Sequence, residues 1–370
     1  MNHLAVKVMP KLLAELAVNK CLRIRSDDAV TIFFNPHLTR LAEDIAIRCF
    51  KNGADVLLNL WSDRYYLGFL THLSEESLRQ PSIWCRELTR NSTAQFWLGG
   101  VYDPAIFRKV PPEKLAANEA GESEAHYPLA TERKVRSLGI GLGSVTKPRA
   151  KAYRLNFTAW ERMIKAASTV DPEALAKRGT EVVTRLQSSA RVKVVSPNGT
   201  ELEFSVKGRK PRVDDGIVDE EDIANDTLEA SIPAGSVQVA IVEDSANGKA
   251  VLAVPTPWAG RTIRRLVWTF RDGRVTSFEG DRHALELRRQ WESASGDRDR
   301  ISALTIGLNP MAKLGYTVNH LVQGAVGIAI GGNEDLGGTN KRGFFYSGTV
   351  ADATLALDGT VLIDRGKLVI

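Results

Sequence analysis

Two runs of one stretch, Ala29-Val-Thr-Ile-Phe-Phe-Asn-Pro36 and Ala54-Asp-Val-Leu-Leu-Asn-Leu60, decide the fold of the first half together with the segment His37-Leu-Thr-Arg-Leu-Ala-Glu-Asp-Ile-Ala-Ile-Arg-Cys-Phe-Lys51 between them. The first run is apolar and β-rich, follows the polar Ser26-Asp-Asp28, and is stopped by Asn35-Pro36. Across 37–51, Leu41, Ile45, Ala46 and Cys49 recur at helical spacing, and Asn52-Gly53 ends the helix. Strand, helix and strand in this order make a β-α-β unit, and a parallel sheet follows from it.

Working outward, residues 95–101 and 135–142 are apolar stretches suited to further strands of the same sheet. Gly139-Ile-Gly-Leu-Gly143 lacks the spacing of a dinucleotide-binding loop, so it reads as a glycine-rich strand end. Thr158, with Glu161 three residues on, predicts a helix N-cap, and Asp171-Pro172 predicts another. From Arg191 the pattern turns to strands. Arg191-Val-Lys-Val-Val195 alternates, Pro197-Asn-Gly199 turns, and Leu202, Phe204 and Val206 continue the alternation as a hairpin. Further strands are expected over 237–242, 250–254, 263–270 and 354–357, with hairpin turns at Asp272-Gly273 and Asp358-Gly359 and a helix over 282–294. The acidic run 214–226 reads as an exposed loop. The fold class is therefore α/β plus α+β: an N-terminal parallel-sheet α/β domain over 1–190 and a strand-rich C-terminal domain over 191–370.

At 370 residues the chain suits two domains, and 43% hydrophobic with 25% charged residues is ordinary globular composition. The formal charge of +5 arises from 49 basic against 44 acidic residues, which are interspersed, as in Asp297-Arg-Asp-Arg300. That pattern lacks the concentrated basic face of a nucleic-acid binder. Cys21, Cys49 and Cys85 have no C-x-x-C spacing and read as buried thiols of a cytoplasmic protein. The short, interrupted apolar runs near the N-terminus predict neither signal peptide nor membrane span.

Four C-terminal segments carry further information: Ser231-Ile-Pro-Ala-Gly-Ser-Val-Gln238, Leu304-Thr-Ile-Gly-Leu-Asn-Pro310, Gly324-Ala-Val-Gly-Ile-Ala-Ile-Gly331 and Gly337-Gly-Thr-Asn340. With the hairpin Thr200-Glu-Leu-Glu-Phe-Ser-Val-Lys-Gly-Arg209, they resemble the aminopeptidase T family of metallo-aminopeptidases from about residue 25 to the end. The resemblance implies a C-terminal domain binding two metal ions, and a homodimer whose pocket is enclosed by the C-terminal domains. The family's ligand positions fall on Ser236, Ala303, Gly327, Phe345 and Ser347, or on Tyr346 and Gly348 for the last pair if the preceding loop is longer. None is a carboxylate or imidazole. Glu243-Asp-Ser-Ala-Asn-Gly248 also resembles the related dihydroxypyridine dioxygenases, whose two-His, one-carboxylate iron site overlaps the replaced positions. Of the six histidines, only His283 and His320 lie in the C-terminal half, and none is followed two residues later by Asp. No metal or other cofactor is therefore expected. A divalent metal would be required only if unrecognised ligands made the chain a metal-dependent aminopeptidase.

Within this scaffold Ser236, Ala303, Asn309, Gly327, Asn340, Phe345 and Ser347 are expected to line a pocket for a small amino-acid-like or aromatic molecule, or a peptide. His320, Asp335, Lys341 and Tyr346 are candidates for acid/base chemistry without metal. Each has a plainer reading: a loop histidine, a solvated charged loop, or turn-forming asparagines in the case of Asn309 and Asn340. Phe344, Phe345 and Tyr346 are alternatively expected to fill the vacated metal cavity, which would make the chain a non-catalytic structural subunit. Trp258, Trp268 and the segment Trp61-Ser-Asp-Arg-Tyr-Tyr66 offer stacking surfaces, with core packing the simpler reading.

Overall fold

A computed structural model of the chain describes residues 11–258 and 261–369. The chain forms two compact units, Met1–Thr169 with Gly216–Pro233, and Val170–Asp215 with Ala234–Ile370. This differs from a single cut at 190. The helix preceding Arg191 belongs with the second unit, and a short later segment returns to the first.

The first unit opens as its sequence requires, with β1 (Ala29–Phe34), α1 (Thr39–Lys51) and β2 (Asp55–Leu60), followed by β3 (Ala94–Leu98), α2 (Pro112–Arg133) and β4 (Arg136–Ile140). The chain then builds α3 (Pro172–Gln187), β5 (Arg191–Ser196), β6 (Thr200–Ser205) and β7 (Arg212–Asp214) in the second unit before β8 (Glu229–Ile232) completes the first. The sheet order is β2-β1-β3-β4-β8, every pairing parallel. One face buries Val30, Ile32, Phe34, Phe96, Leu98, Leu138 and Ile140 against the Leu41, Ile45 and Cys49 stripe of α1. The buried Asp28 ties the strand ends together. Its carboxylate pairs with Arg136 and accepts from Thr93 Oγ1 at 2.5 Å and Arg25 N at 2.7 Å. Burial alone would raise its pKa, but these donors outweigh it and hold the carboxyl below its ordinary range.

Three sequence expectations are corrected here. The helix Phe157–Ala167 is capped by Asn156, whose side chain accepts from Ala159 N at 2.9 Å, and Thr158 lies inside it. The acidic run is not simply a loop. Glu220–Ala224 is helical behind a capping box between Asp219 and Asp222, and Val218 is buried with its N–H bonded to Cys21 O. Cys21 and Cys49 are buried, whereas Cys85 is only partly so, and none of the three forms a disulfide with a described residue.

The second unit continues with β9 (Ser236–Ala240), β10 (Asn247–Leu252), β11 (Thr256–Trp258), β12 (Arg261–Ile263), β13 (Leu266–Arg271), β14 (Arg274–Gly280), α4 (Arg282–Ser293) and β15 (Ile301–Gly307). It ends with β16 (Val326–Gly331), β17 (Phe345–Val350), β18 (Thr354–Leu357), β19 (Thr360–Asp364) and β20 (Lys367–Leu368). An eight-stranded sheet, β14-β13-β10-β6-β5-β18-β19-β20, and a five-stranded sheet, β17-β16-β15-β9-β7, share one apolar core. Val194, Leu202, Leu252 and Trp268 meet Val237, Val239, Leu304, Ile328 and Tyr346 in that core. Gly348 marks how closely the layers approach, since a Cβ there would lie 2.6 Å from a Leu252 methyl. Among the described residues no helix is long and apolar enough to cross a membrane.

Candidate functional site

The five-stranded sheet sorts the candidate residues by parity, because alternate side chains along a strand point to opposite faces. Val237, Val239, Leu304, Ile306, Val326, Ile328, Ile330 and Tyr346 face the core. The other face is then fixed by the pairings Phe345 with Gly331, Ser347 with Ala329, Thr349 with Gly327, Gly327 with Thr305, Ala303 with Ala240, and Gly307 with Ser236. Ser236, Ala303, Gly327, Phe345 and Ser347 therefore all occupy one sheet face, drawn from four adjacent strands. Tyr346 and Gly348 lie on the core face. Phe345 and Ser347 thus share a face with Ser236, Ala303 and Gly327, whereas Tyr346 and Gly348 do not.

The chemistry of this platform is that of hydroxyls and small residues. A Cβ added to Gly327 would lie 3.2 Å from Thr305 Cβ and 3.5 Å from Ser347 Oγ, so these neighbours crowd the place of a side chain. Ser236 is completely buried, and its Oγ has no hydrogen-bond partner among the described residues. A buried hydroxyl with no partner at all costs about 1–3 kcal/mol. At Gly307, opposite Ser236, the Val322 carbonyl occupies the space of a side chain. At the other end Phe345 is 59% exposed, so it does not fill a cavity. Phe344 and Tyr346 are core residues, and Tyr346 stands edge-on to Trp268 with ring centroids 6.2 Å apart. Burial pushes the Tyr346 phenol pKa upward, so the phenol stays protonated at neutral pH.

The two retained asparagines are structural staples. Asn309 is buried, donates to Ala234 O at 2.7 Å and accepts from Met311 N at 3.0 Å and Ala312 N at 3.1 Å. Asn340 donates to Ile301 O at 2.7 Å and Gly331 O at 3.0 Å. An open cleft of about 290 Å³ lies beside Asn309 and Pro310, bounded by Val322, Gln323 and Lys367.

Sequence reasoning missed the group that organises the glycine loop. Glu243, with little side-chain exposure, pairs with Arg209 and accepts from Thr339 N at 2.8 Å and Asn333 Nδ2 at 3.2 Å. Arg209 also donates to Gly337 O at 3.1 Å, while Asn333 Oδ1 receives Asn340 N at 2.9 Å. Burial pushes the Glu243 pKa up, but these hydrogen bonds and the Arg209 charge prevail and depress it. Asp335 and Lys341 are exposed on this loop, with Lys341 Nζ 3.3 Å from Glu334. They lie outside the platform strands. His320 is exposed in the short helical turn Asn319–Leu321 beside β15 and β17, while Asn319 and Leu321 on either side of it are buried. His283 Nδ1 is 2.8 Å from Thr262 O, and Trp268 is core. Trp61, Tyr65, Tyr66 and Phe69 pack on one another.

The chain belongs to the family described as thermophilic metalloprotease (M29), whose sequence profile matches residues 9–299. Wild-type AmpT from Thermus thermophilus has the same fold, with TM-score 0.75 and 16% identity over 98% of this chain and 100% of that one. The 2,5-dihydroxypyridine dioxygenase from Pseudomonas putida KT2440 gives TM-score 0.64 and 15% identity over 100% of this chain and 98% of that one. No curated protein matches the chain.

A metalloprotease family implies a bound metal, and the residues present do not fit one. A catalytic divalent site takes three or more imidazole, carboxylate or thiolate donors, and Ser236, Ala303, Gly327, Phe345 and Ser347 provide none. Among the described residues, no three His, Cys, Asp or Glu side chains converge to hold an ion.

Proposed function

We propose that this chain is an M29-family protein that has lost the dinuclear metal site and uses the platform to bind a small amino-acid-like or aromatic molecule without metal. The observation carrying this reading is the parity result: the five aligned positions share one face, yet hold two hydroxyls, an alanine, a glycine and an exposed phenylalanine. Serine and threonine hydroxyls donate and accept hydrogen bonds, which suits recognition of a carboxylate or ring hydroxyl. They do not activate water as a metal does. The unpartnered Ser236 Oγ supports a polar contact made on binding, and Phe345 supports stacking on a planar group. The exposure of Phe345 speaks against a purely structural subunit with a filled cavity. Three cysteines outside any disulfide among the described residues support a cytoplasmic location.

Thermal denaturation in the presence of chelator, with L-phenylalanine and 2,5-dihydroxypyridine as probes, tests the reading. The expected result is a rise in Tm with at least one probe, abolished in the Ser236→Ala/Ser347→Ala variant. No shift with either probe, or a shift retained by that variant, contradicts it.

A further inference from the structure

The two faces of the first unit's sheet are unlike. Ile32, Phe96, Leu138 and Ile232 face the apolar core beside α1, so the residues one step along each strand face the other way. There they form two rows across adjacent strands. The deeper row runs Thr31, Gln95, Ser137 and Glu229, and the row nearer the strands' carboxyl ends runs Phe33, Trp97, Gly139 and Ser231. In open parallel sheets the carboxyl ends are where ligands bind.

Phe33 and Trp97 stack with ring centroids 3.9 Å apart and planes 4° from parallel, so side chains in the upper row stand upright from the sheet. Phe33 takes one face of the indole. The strand on the other side presents Gly139, part of the glycine-rich strand end, where an added Cβ would have nothing nearer than Ser231 Cβ at 3.7 Å. Ser231 is exposed, and Trp97 is 36% exposed. With strands about 4.8 Å apart, a ring stacked on the indole would stand over Gly139 and extend the stack that Phe33 and Trp97 begin. The His126 ring of α2, whose Nδ1 lies 3.0 Å from Thr89 Oγ1, meets the indole at 79° and steadies it.

The deeper row supplies unmatched polar groups. Gln95 is fully buried, and neither its Oε1 nor its Nε2 has a hydrogen-bond partner among the described residues. Ser137, its neighbour in register, is 5% exposed, and its Oγ is likewise unpartnered. Thr31, by contrast, shares a hydrogen bond with Ser92 at 2.8 Å. Protein interiors rarely leave such groups unmatched, and here three polar atoms on adjacent strands are. Gln95 and Ser137 lie about 6.6 Å along their strands from Trp97 and Gly139, within side-chain reach of the edge of a ring standing there. A glutamine amide donates and accepts side by side, so its complement is a ring with N–H and C=O on neighbouring atoms. Exposed Glu229, beside Ser137 in register, disfavours an anion.

We infer that this face binds a planar cyclic amide, a class that includes the pyrimidine bases. The ring stacks on Trp97 above Gly139, its N–H and C=O edge pairs with the Gln95 amide, and Ser137 Oγ makes a further hydrogen bond to that edge. No platform residue takes part, and the inference does not rest on the reading of the platform.

Titration calorimetry of the full-length protein with uracil and with N,N′-dimethyluracil, which keeps the ring but lacks both N–H groups, separates stacking from edge recognition. Uracil is expected to bind once per chain, and N,N′-dimethyluracil about tenfold more weakly, the loss expected of two neutral hydrogen bonds. Gln95→Leu is expected to lower the affinity for uracil to that for N,N′-dimethyluracil and to leave the latter unchanged. Gly139→Val, which sets a side chain against the indole, is expected to abolish binding of both compounds while retaining the wild-type circular dichroism spectrum and urea midpoint. No binding of uracil to the wild type at millimolar concentration, equal wild-type affinity for the two compounds, or wild-type uracil affinity in either folded variant overturns the proposal. The comparison of the two compounds on the wild type decides the matter if a variant does not fold.

Discussion

Ser236 carries two opposing demands. Its buried Oγ lacks a partner among the described residues, so Ser236→Ala is expected to raise stability by about 1 kcal/mol without ligand. The same change should weaken the thermal response to a binding probe, so paired melts with and without probe check both signs. Glu243 behaves oppositely. Its depressed pKa means that it contributes stability above its ordinary value of 4.5, lost as pH falls through the folded value. Glu243→Gln breaks a largely buried pair with Arg209 and is expected to cost about 3 kcal/mol near neutrality. The gap from wild type should narrow as pH drops below the ordinary carboxylate range, as urea melts at several pH values will show. Asn309 and Asn340 were legible in sequence as turn residues, and their side chains are committed to backbone partners. Glu243 was not identified as the loop's organiser, because its partners Arg209, Asn333 and Thr339 are distant in sequence and no local pattern joins them.

Local periodicity explains what was readable among the elements. The 3.6-residue stripe of α1 and the alternation in β5 and β6 predict themselves, and the Pro197-Asn-Gly199 turn fixes a hairpin whose register runs from Arg191 with Ser205 to Ser196 with Thr200. The parallel pairing of β8 with β4 is different. It joins Ser137 to Glu229 across an intervening excursion that builds α3, β5, β6 and β7, and periodicity carries no such information. The same limit hid α3's membership of the second unit, where it packs by a close approach: a Cβ on Gly179 would lie 2.4 Å from Val213 Cγ1. Gly179→Ala should therefore push α3 from β7 and cost about 1–3 kcal/mol despite alanine's better helix propensity. A lowered urea midpoint with an unchanged m-value will show this.

At the scale of the whole molecule, the proposed loss of the metal site concerns a few positions on a scaffold that is otherwise kept. The M29 scaffold persists over the full length of AmpT at 16% identity, since core faces need only apolar side chains of suitable size. A metal centre tolerates no such latitude, because its donors must be particular residue types at particular points. The resemblance points to five positions, which strand parity gathers onto one face, and the residues there supply no carboxylate or imidazole donor. Metal content after incubation with zinc, cobalt, manganese or iron, followed by desalting, tests this most directly. Wild-type protein should retain far less than one equivalent of any ion, whereas a variant carrying Ser236→Glu, Ala303→Glu, Gly327→His, Phe345→His and Ser347→Asp should retain metal. Retention of one or two equivalents by the wild type would contradict the account and return the chain to metal-dependent chemistry.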